Sequence, residues 1–254
     1  MWRKARIALL LLVLAFVGSG AWFDRHRTAD WQHTLWIGIF PINGDGRAAT
    51  DEYIASLSKQ QFVAIERFFE REAADYGVAI REPVHVELYP RVAHAPPRLA
   101  QGAGPLASIW WSLKIRWYAW RAASATLANV RMFVLYHDPE HTDSVAHSLG
   151  MQKGLLGVVN AYADRGMDGQ NSIVITHEVM HALGATDKYD LATDLPVFPG
   201  GYADPDAEPL YPQSAAEIMA GRRAISATAA EMPPTLAGVL VGEETAAEIN
   251  WVTK

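Results

Sequence analysis

Cysteine is absent from the chain. That one absence excludes disulfides, thiolate metal sites and a cysteine nucleophile. Export stays open, since a secreted domain can fold without disulfides. Basic residues are in deficit: 22 Lys and Arg stand against 28 Asp and Glu, for a formal net charge of -6. The pI is near 5.8 and no basic stripe occurs, so nucleic acid is not an expected partner. What the chain has in quantity is apolar residues, half of its 254, enough for one good core without requiring a second domain.

One long apolar run occurs. Met1 to Arg6 carries three basic residues, and Ile7 to Phe23 follows with no charge. Its lack of a polar face argues against a buried helix of an internal domain. The run reads as a signal peptide, with Ser19 and Ala21 as small residues for cleavage, or as a membrane anchor ending in the interface residues Trp22 and Phe23. Either way the basic flank stays inside, and the rest lies outside the cytoplasm in the cell envelope, or is secreted if cleaved. The expected organisation is a signal or anchor segment at 1–23, a polar tether at 24–30 and one domain at 31–254.

The chemistry concentrates in His177-Glu178-Val179-Met180-His181, with Gly184 and Asp187 behind it. Residues four apart share one helix face, so His177 and His181 can address one metal ion. A catalytic Zn²⁺ takes three protein ligands and leaves a position for water. Glu178 is placed to act on that water as general base. Gly184 suits the left-handed turn that ends a helix, letting Asp187 come round as third ligand. Asp190, Glu208 and Glu217 compete with Asp187 for that role. Tyr189 is either a phenol donor to an oxyanion or a packing residue of the loop.

The run HEVMHALGATDKYD at 177–190 resembles the zincin metallopeptidases, in the metzincin-like branch with aspartate in place of the third histidine. Snapalysin-type and immune-inhibitor-A-type bacterial peptidases share that variant, and Asp187-Lys188-Tyr189-Asp190 is most similar to the second. The resemblance implies a methionine turn beneath the metal. Glu217-Ile218-Met219-Ala220-Gly221-Arg222 matches it, with Met219 as the turn methionine. It also implies an α+β zincin-like domain with a twisted mixed sheet, one catalytic Zn²⁺ and a peptide or protein substrate cleaved as an endopeptidase. The alternatives are a non-catalytic zinc-binding envelope domain and a metal-dependent amidase acting on a non-protein substrate.

Periodicity predicts strands at 33–42, ended by Pro41, and at 84–88, 131–136 and 154–162. It predicts helices at 50–76, at 171–183 with Asn171 or Ser172 as N-cap, and at 243–251. Residues 144–151 are the candidate for a sheet edge that pairs with extended substrate. A tryptophan-rich helix is expected over 106–121. Leu106, Ile109, Trp110, Leu113, Trp117 and Trp120 form its core-facing stripe, while Trp111, Lys114, Tyr118 and Arg121 are left for the membrane interface or the cleft. His137, Asp138, Glu140 and His141 form a second group of potential ligands, read as a solvated loop with a second metal as the sharper option. Residues 194–212, rich in proline with Gly200-Gly201, read as an irregular lobe.

Overall fold

The computed structural model describes residues 30–99, 102, 104–124, 126–142, 148–151 and 155–252. Strands β1 (Leu35–Asn43), β2 (Val84–Leu88), β3 (Val130–His137), β4 (Leu149–Met151) and β5 (Leu156–Tyr162) form one mixed sheet in the order β2-β1-β3-β5-β4. The first four neighbours run parallel, and only the edge strand β4 is antiparallel, against β5. A parallel sheet is buried on both faces, which explains near-continuous apolar runs such as Val130 to Tyr136. Ile37, Ile39, Met132, Val134, Val159 and Ala161 point to one face; Phe40, Ile42, Phe133, Leu135 and Leu156 point to the other.

Pro41 does not end β1. The strand continues to Asn43, with Pro41 in register with Val134 of β3. Its missing N–H lies on the β2 side, beyond the last β1–β2 pair at Ile39 and Leu88, so no ladder bond is lost. The Pro41 carbonyl accepts from Val92 N–H at 2.9 Å.

The single helix expected over 50–76 is two helices, α1 (Ala48–Ala55) and α2 (Val63–Asp75), with a 3₁₀ turn at Lys59–Phe62 between them. Ser58 restarts the helix. Its N–H and Oγ donate to Gln61 Oε1 at 2.7 and 2.9 Å, an N-terminal box that outweighs continuation of the helical pattern. α2 packs Ile65, Phe68, Phe69 and Ala73 on the first face of the sheet.

The opposite face is covered by α3 (Pro105–Ala123), and here the predicted orientation is reversed. Ile115, Ala119 and Ala123 are buried against Phe40 and Phe133, whereas Leu106, Ile109, Trp110, Leu113, Trp117 and Trp120 are exposed. The rings of Phe40, Phe133 and Tyr89 already fill the space over the strands. Only the small-residue side of the helix fits against them at close-packed density. Trp111 and Tyr118, placed outward by the sequence reading, turn inward and donate to the carbonyls of Pro97 and His94 at 2.7 and 2.6 Å.

Helix α4 (Asp168–Leu183) lies on the α2 side of the sheet. It starts before Asn171, so neither Asn171 nor Ser172 is its N-cap. Asn171 instead pairs with both backbone groups of Tyr162, accepting from N–H at 3.0 Å and donating to C=O at 2.8 Å. That amide fastens the helix to the end of β5. Gly184 follows in the left-handed conformation, φ 116°. Short strand pairs β6 (Ala216–Glu217) with β9 (Val239–Leu240), and β7 (Arg223–Ser226) with β8 (Ala229–Glu231), lead to α5 (Glu243–Glu248), shorter than the expected 243–251. The segment 194–212 is irregular, as expected. The apolar run 7–23 lies outside the described residues. Among the described residues no helix is long and apolar enough to cross a membrane.

Removing the Asn171 amide leaves two backbone groups of Tyr162 without their partners. Asn171→Ala is expected to cost about 2–4 kcal/mol, read as a lower urea midpoint at unchanged m-value. A midpoint within error of the parent contradicts the fastening role.

Candidate metal centre

His177 and His181 sit one turn apart on α4, ring centroids 4.6 Å apart. His177 Nδ1 meets the Ile218 carbonyl at 2.9 Å, and His181 Nδ1 meets the Ala185 carbonyl at 2.9 Å. A carbonyl only accepts, so both Nδ1 atoms carry hydrogen, and each neutral ring presents a lone pair at Nε2. Both lone pairs aim at Asp187 Oδ1, 3.2 Å from His177 and 3.0 Å from His181. Neutral rings would then face a carboxylate oxygen with like polarity. Two imidazoliums in contact would repel. A divalent cation among the three donors removes both conflicts, and the donor set of two imidazoles and a carboxylate suits one.

The electrostatics follow the same geometry. In the metal-free alternative with protonated rings, burial raises the Asp187 carboxyl, but hydrogen bonds and positive charge from His177 and His181 outweigh it and hold the group well below the usual carboxylate range. In that same protonated state burial lowers His181, but Asp187, the Ala185 carbonyl and Glu178 outweigh it and raise the imidazole above its ordinary value.

Glu178 projects from the same helix and is 5% exposed. Burial pushes its carboxyl up; the two imidazoles and the Gly150 amide pull part of that back. Its Oε2 is buried with no hydrogen-bond partner. Gly150 of β4 makes this approach possible. A Cβ there would stand 2.5 Å from His181 Cβ and 2.6 Å from the Glu178 carbonyl oxygen. Sequence reading placed the edge strand at 144–151; its paired part is β4, at 149–151, and residues 143–147 lie outside the described residues.

The turn at Ile218–Gly221 closes the floor. Met219 is fully buried, its carbonyl accepts from Lys188 N–H at 3.0 Å, and the neighbouring Ile218 carbonyl orients His177. Glu217, weighed as a ligand, is not one. Its Oε2 accepts from Met219 and Ala220 N–H at 2.6 and 3.0 Å, while Oε1 accepts from Thr245 Oγ1 at 2.7 Å. Asp190 is engaged too, accepting from Ala192 and Thr193 in its own turn, and Glu208 is exposed and outside the donor group. Tyr189 lies 6.3 Å from the His177 ring, centroid to centroid. Burial and the charges of Asp187 and Glu178 raise its phenol, keeping it protonated and able to donate.

Two residues that the sequence reading passed over hold the Asp187 loop. Glu248 of α5 accepts from Thr186 N–H at 2.9 Å and Thr186 Oγ1 at 2.6 Å. Lys188 Nζ, buried, donates to Glu248 at 2.9 Å and back to Thr186 Oγ1 at 2.8 Å. Asp187 is thereby gripped on both sides. Glu248 is 62 residues from Thr186, and no local pattern announces the pairing.

The second group of potential ligands is occupied by a cation of the chain itself. Arg47 Nε donates to Asp138 Oδ2 at 2.9 Å, and an Arg47 terminal nitrogen meets His141 Nε2 at 2.8 Å. His141 Nδ1 closes the triangle on Asp138 at 2.9 Å, and His137 turns to Asn160 instead. The guanidinium neutralises the carboxylate that a second metal would need.

No protein-family model and no curated protein matches the chain. Similar solved structures include one titled as the structure of a chaperone-substrate complex, 13% identical with TM-score 0.41, covering 86% of this chain and 33% of that one. Wild-type OgpA from Akkermansia muciniphila is similar in two crystal forms, 11% identical with TM-scores of 0.38 and 0.37. This chain is covered to 87% there and spans 62% of OgpA.

The Glu248 clamp predicts a pH signature. Burial raises its carboxyl, but Thr186 and Lys188 outweigh that and hold it below its unfolded value. A depressed carboxyl contributes stability above its unfolded pKa, about 4.3, and loses it as pH falls through the lower folded value. The stability gap between parent and Glu248→Gln is therefore expected at pH 6–7 and should close below about pH 4. Urea titrations giving parallel profiles at all pH values would sink the assignment.

Proposed function

We propose that the chain is a zinc-dependent endopeptidase with a zincin-like catalytic domain. His177, His181 and Asp187 would hold the ion. The observation that carries this reading is the convergence of two Nε2 lone pairs on one carboxylate oxygen, with both Nδ1 atoms already committed to backbone carbonyls. Zn²⁺ bound there would polarise a scissile carbonyl and acidify a water molecule.

The rest is work for the chain's own groups. Glu178 takes the proton of the attacking water on its unpaired Oε2 and passes it to the leaving amine. Its burial favours this, because a carboxyl raised above its ordinary value is a stronger base toward the attacking water. The protonated Tyr189 phenol is available to donate to oxyanion charge at the carbonyl. Among the described residues β4 is the last strand of the sheet, and it lies against α4, so an extended peptide added along its outer edge would run close to Glu178. Met219 and Glu217 keep the floor rigid without touching substrate. The apolar run 7–23 would hold the domain at the outer face of a membrane, or direct its secretion.

Glu178→Gln is expected to retain one zinc per chain by metal analysis while hydrolysis of a quenched-fluorescent peptide library falls about 10²–10⁴-fold. Hydrolysis at the parent rate would remove Glu178 from the chemistry. Asp187→Ala should instead lose zinc on dialysis against a mild chelator that leaves the parent loaded. Full occupancy in that variant assigns the third ligand elsewhere. A parent that holds zinc yet cleaves no member of the library, with or without chelator, refutes the peptidase reading itself.

A further inference from the structure

We infer that the outward face of α3 is a docking surface for an anionic lipid bilayer. Leu106, Ile109, Trp110, Leu113, Trp117 and Trp120 lie within an arc of about 100° at the helical repeat, and all are solvent-exposed. The three indoles are 61%, 59% and 63% exposed. At roughly 250 Å² apiece they leave on the order of 400 Å² bare, before the aliphatic residues are added. That equals the largest apolar patch of an ordinary soluble monomer, a size that marks an interaction site.

The borders of the patch identify its occupant. Lys114 and Arg121 flank one side and Arg116 the other. Lys114 Nζ stands 5.6 Å from the Trp110 ring and the Arg121 guanidinium 5.1 Å from the Trp117 ring. No acidic residue occurs anywhere in 88–137, although the chain carries 28 of them and a net charge of -6. The helix face is thus the locally cationic part of an anionic protein. Indoles bordered by basic side chains are the composition of a helix lying in a headgroup layer, with rings at the acyl boundary and cations at the phosphates. α3 is not apolar enough to cross the bilayer, so it would lie in the plane. A second copy of this chain fits poorly: a twofold contact would face Lys114 and Arg121 with their equivalents and no carboxylate between them.

Two further features agree. A surface helix binds lipid marginally unless a second element shares the load. The apolar run 7–23, read as an anchor, would supply one, and tethering would convert the docking of α3 into an intramolecular step. α3 also packs on the opposite sheet face from α4, so docking would leave His177, Glu178 and His181 turned away from the lipid. The inference does not depend on the peptidase reading.

The absence of cysteine makes the test direct. The full chain carrying Ile109→Cys, or Glu70→Cys on the exposed side of α2 as control, is labelled with an environment-sensitive fluorophore. Each is incorporated at one chain per nanodisc, of neutral phosphatidylcholine alone or with about one-third phosphatidylglycerol. On anionic discs the probe at 109 is expected to shift blue and to be quenched by shallow spin-labelled lipid at least threefold more than the probe at 70. Adding Lys114→Gln and Arg121→Gln should reduce the difference between the two lipid compositions. Trp110→Ser with Trp117→Ser and Trp120→Ser should abolish the blue shift at 109 while the circular dichroism of the chain is kept. The inference is overturned if the chain does not co-elute with anionic discs, or if the 109 probe stays as water-exposed as the 70 probe. It is equally overturned if shielding appears only with two or more chains per disc, or only on adding a soluble protein partner.

Discussion

Two imidazole rings that have each given their one hydrogen to a backbone carbonyl set the terms for everything around them. Once Ile218 and Ala185 fix those tautomers, the inward nitrogens can only accept, and Asp187 brings a third acceptor into the same space. Such an arrangement is unstable without positive charge. The surrounding structure reads as a set of braces against that instability. Glu217 ties the 218–221 turn to α5, Lys188 ties the aspartate loop to Met219, and Glu248 grips Thr186 and Lys188 together. Each brace is a charged or amide hydrogen bond in a buried or half-buried place, where losing one partner costs more than the bond contributes.

The sheet has a complementary task. Its parallel strands fix α4 from behind, with Asn171 pinned to the last residue of β5, and its edge strand β4 comes so close to the helix that only glycine fits at 150. The unpaired carboxylate oxygen of Glu178 is therefore walled by backbone on one side and by the donor cluster on the other. A buried carboxylate oxygen with no partner is a cost in a purely structural protein. It is the observation that most favours the proposed role in proton transfer, since a carboxylate in that position would add nothing to holding an ion.

The donor triad was readable from the chain because helical geometry turns a four-residue spacing into a shared face, and because Gly184 announces the reversal that returns Asp187. The strands were readable for a similar reason: their neighbours in sequence decide their burial. What escaped was decided at long range. The inward face of α3 could not be chosen from its own sequence, since both stripes are apolar enough. Rings contributed by Phe40 and Phe133 made the choice, admitting Ile115 and Ala119 and rejecting the indoles. The break at Ser56–Ser58 hid behind an intact apolar pattern that the Ser58–Gln61 bonds overrode. Glu217 looked like a ligand by spacing and proved to be a turn brace, because its oxygens meet amides before they can meet a metal.

The grip of Glu248 on the loop around Asp187 has an outcome for the timing of synthesis. A nascent polypeptide translated only as far as residue 190 already contains both imidazoles, the acid and the aspartate, yet the grip of Glu248 on the aspartate loop is missing until α5 emerges about sixty residues later. The donor cluster would thus reach its final geometry only after residues far beyond the motif itself have been made.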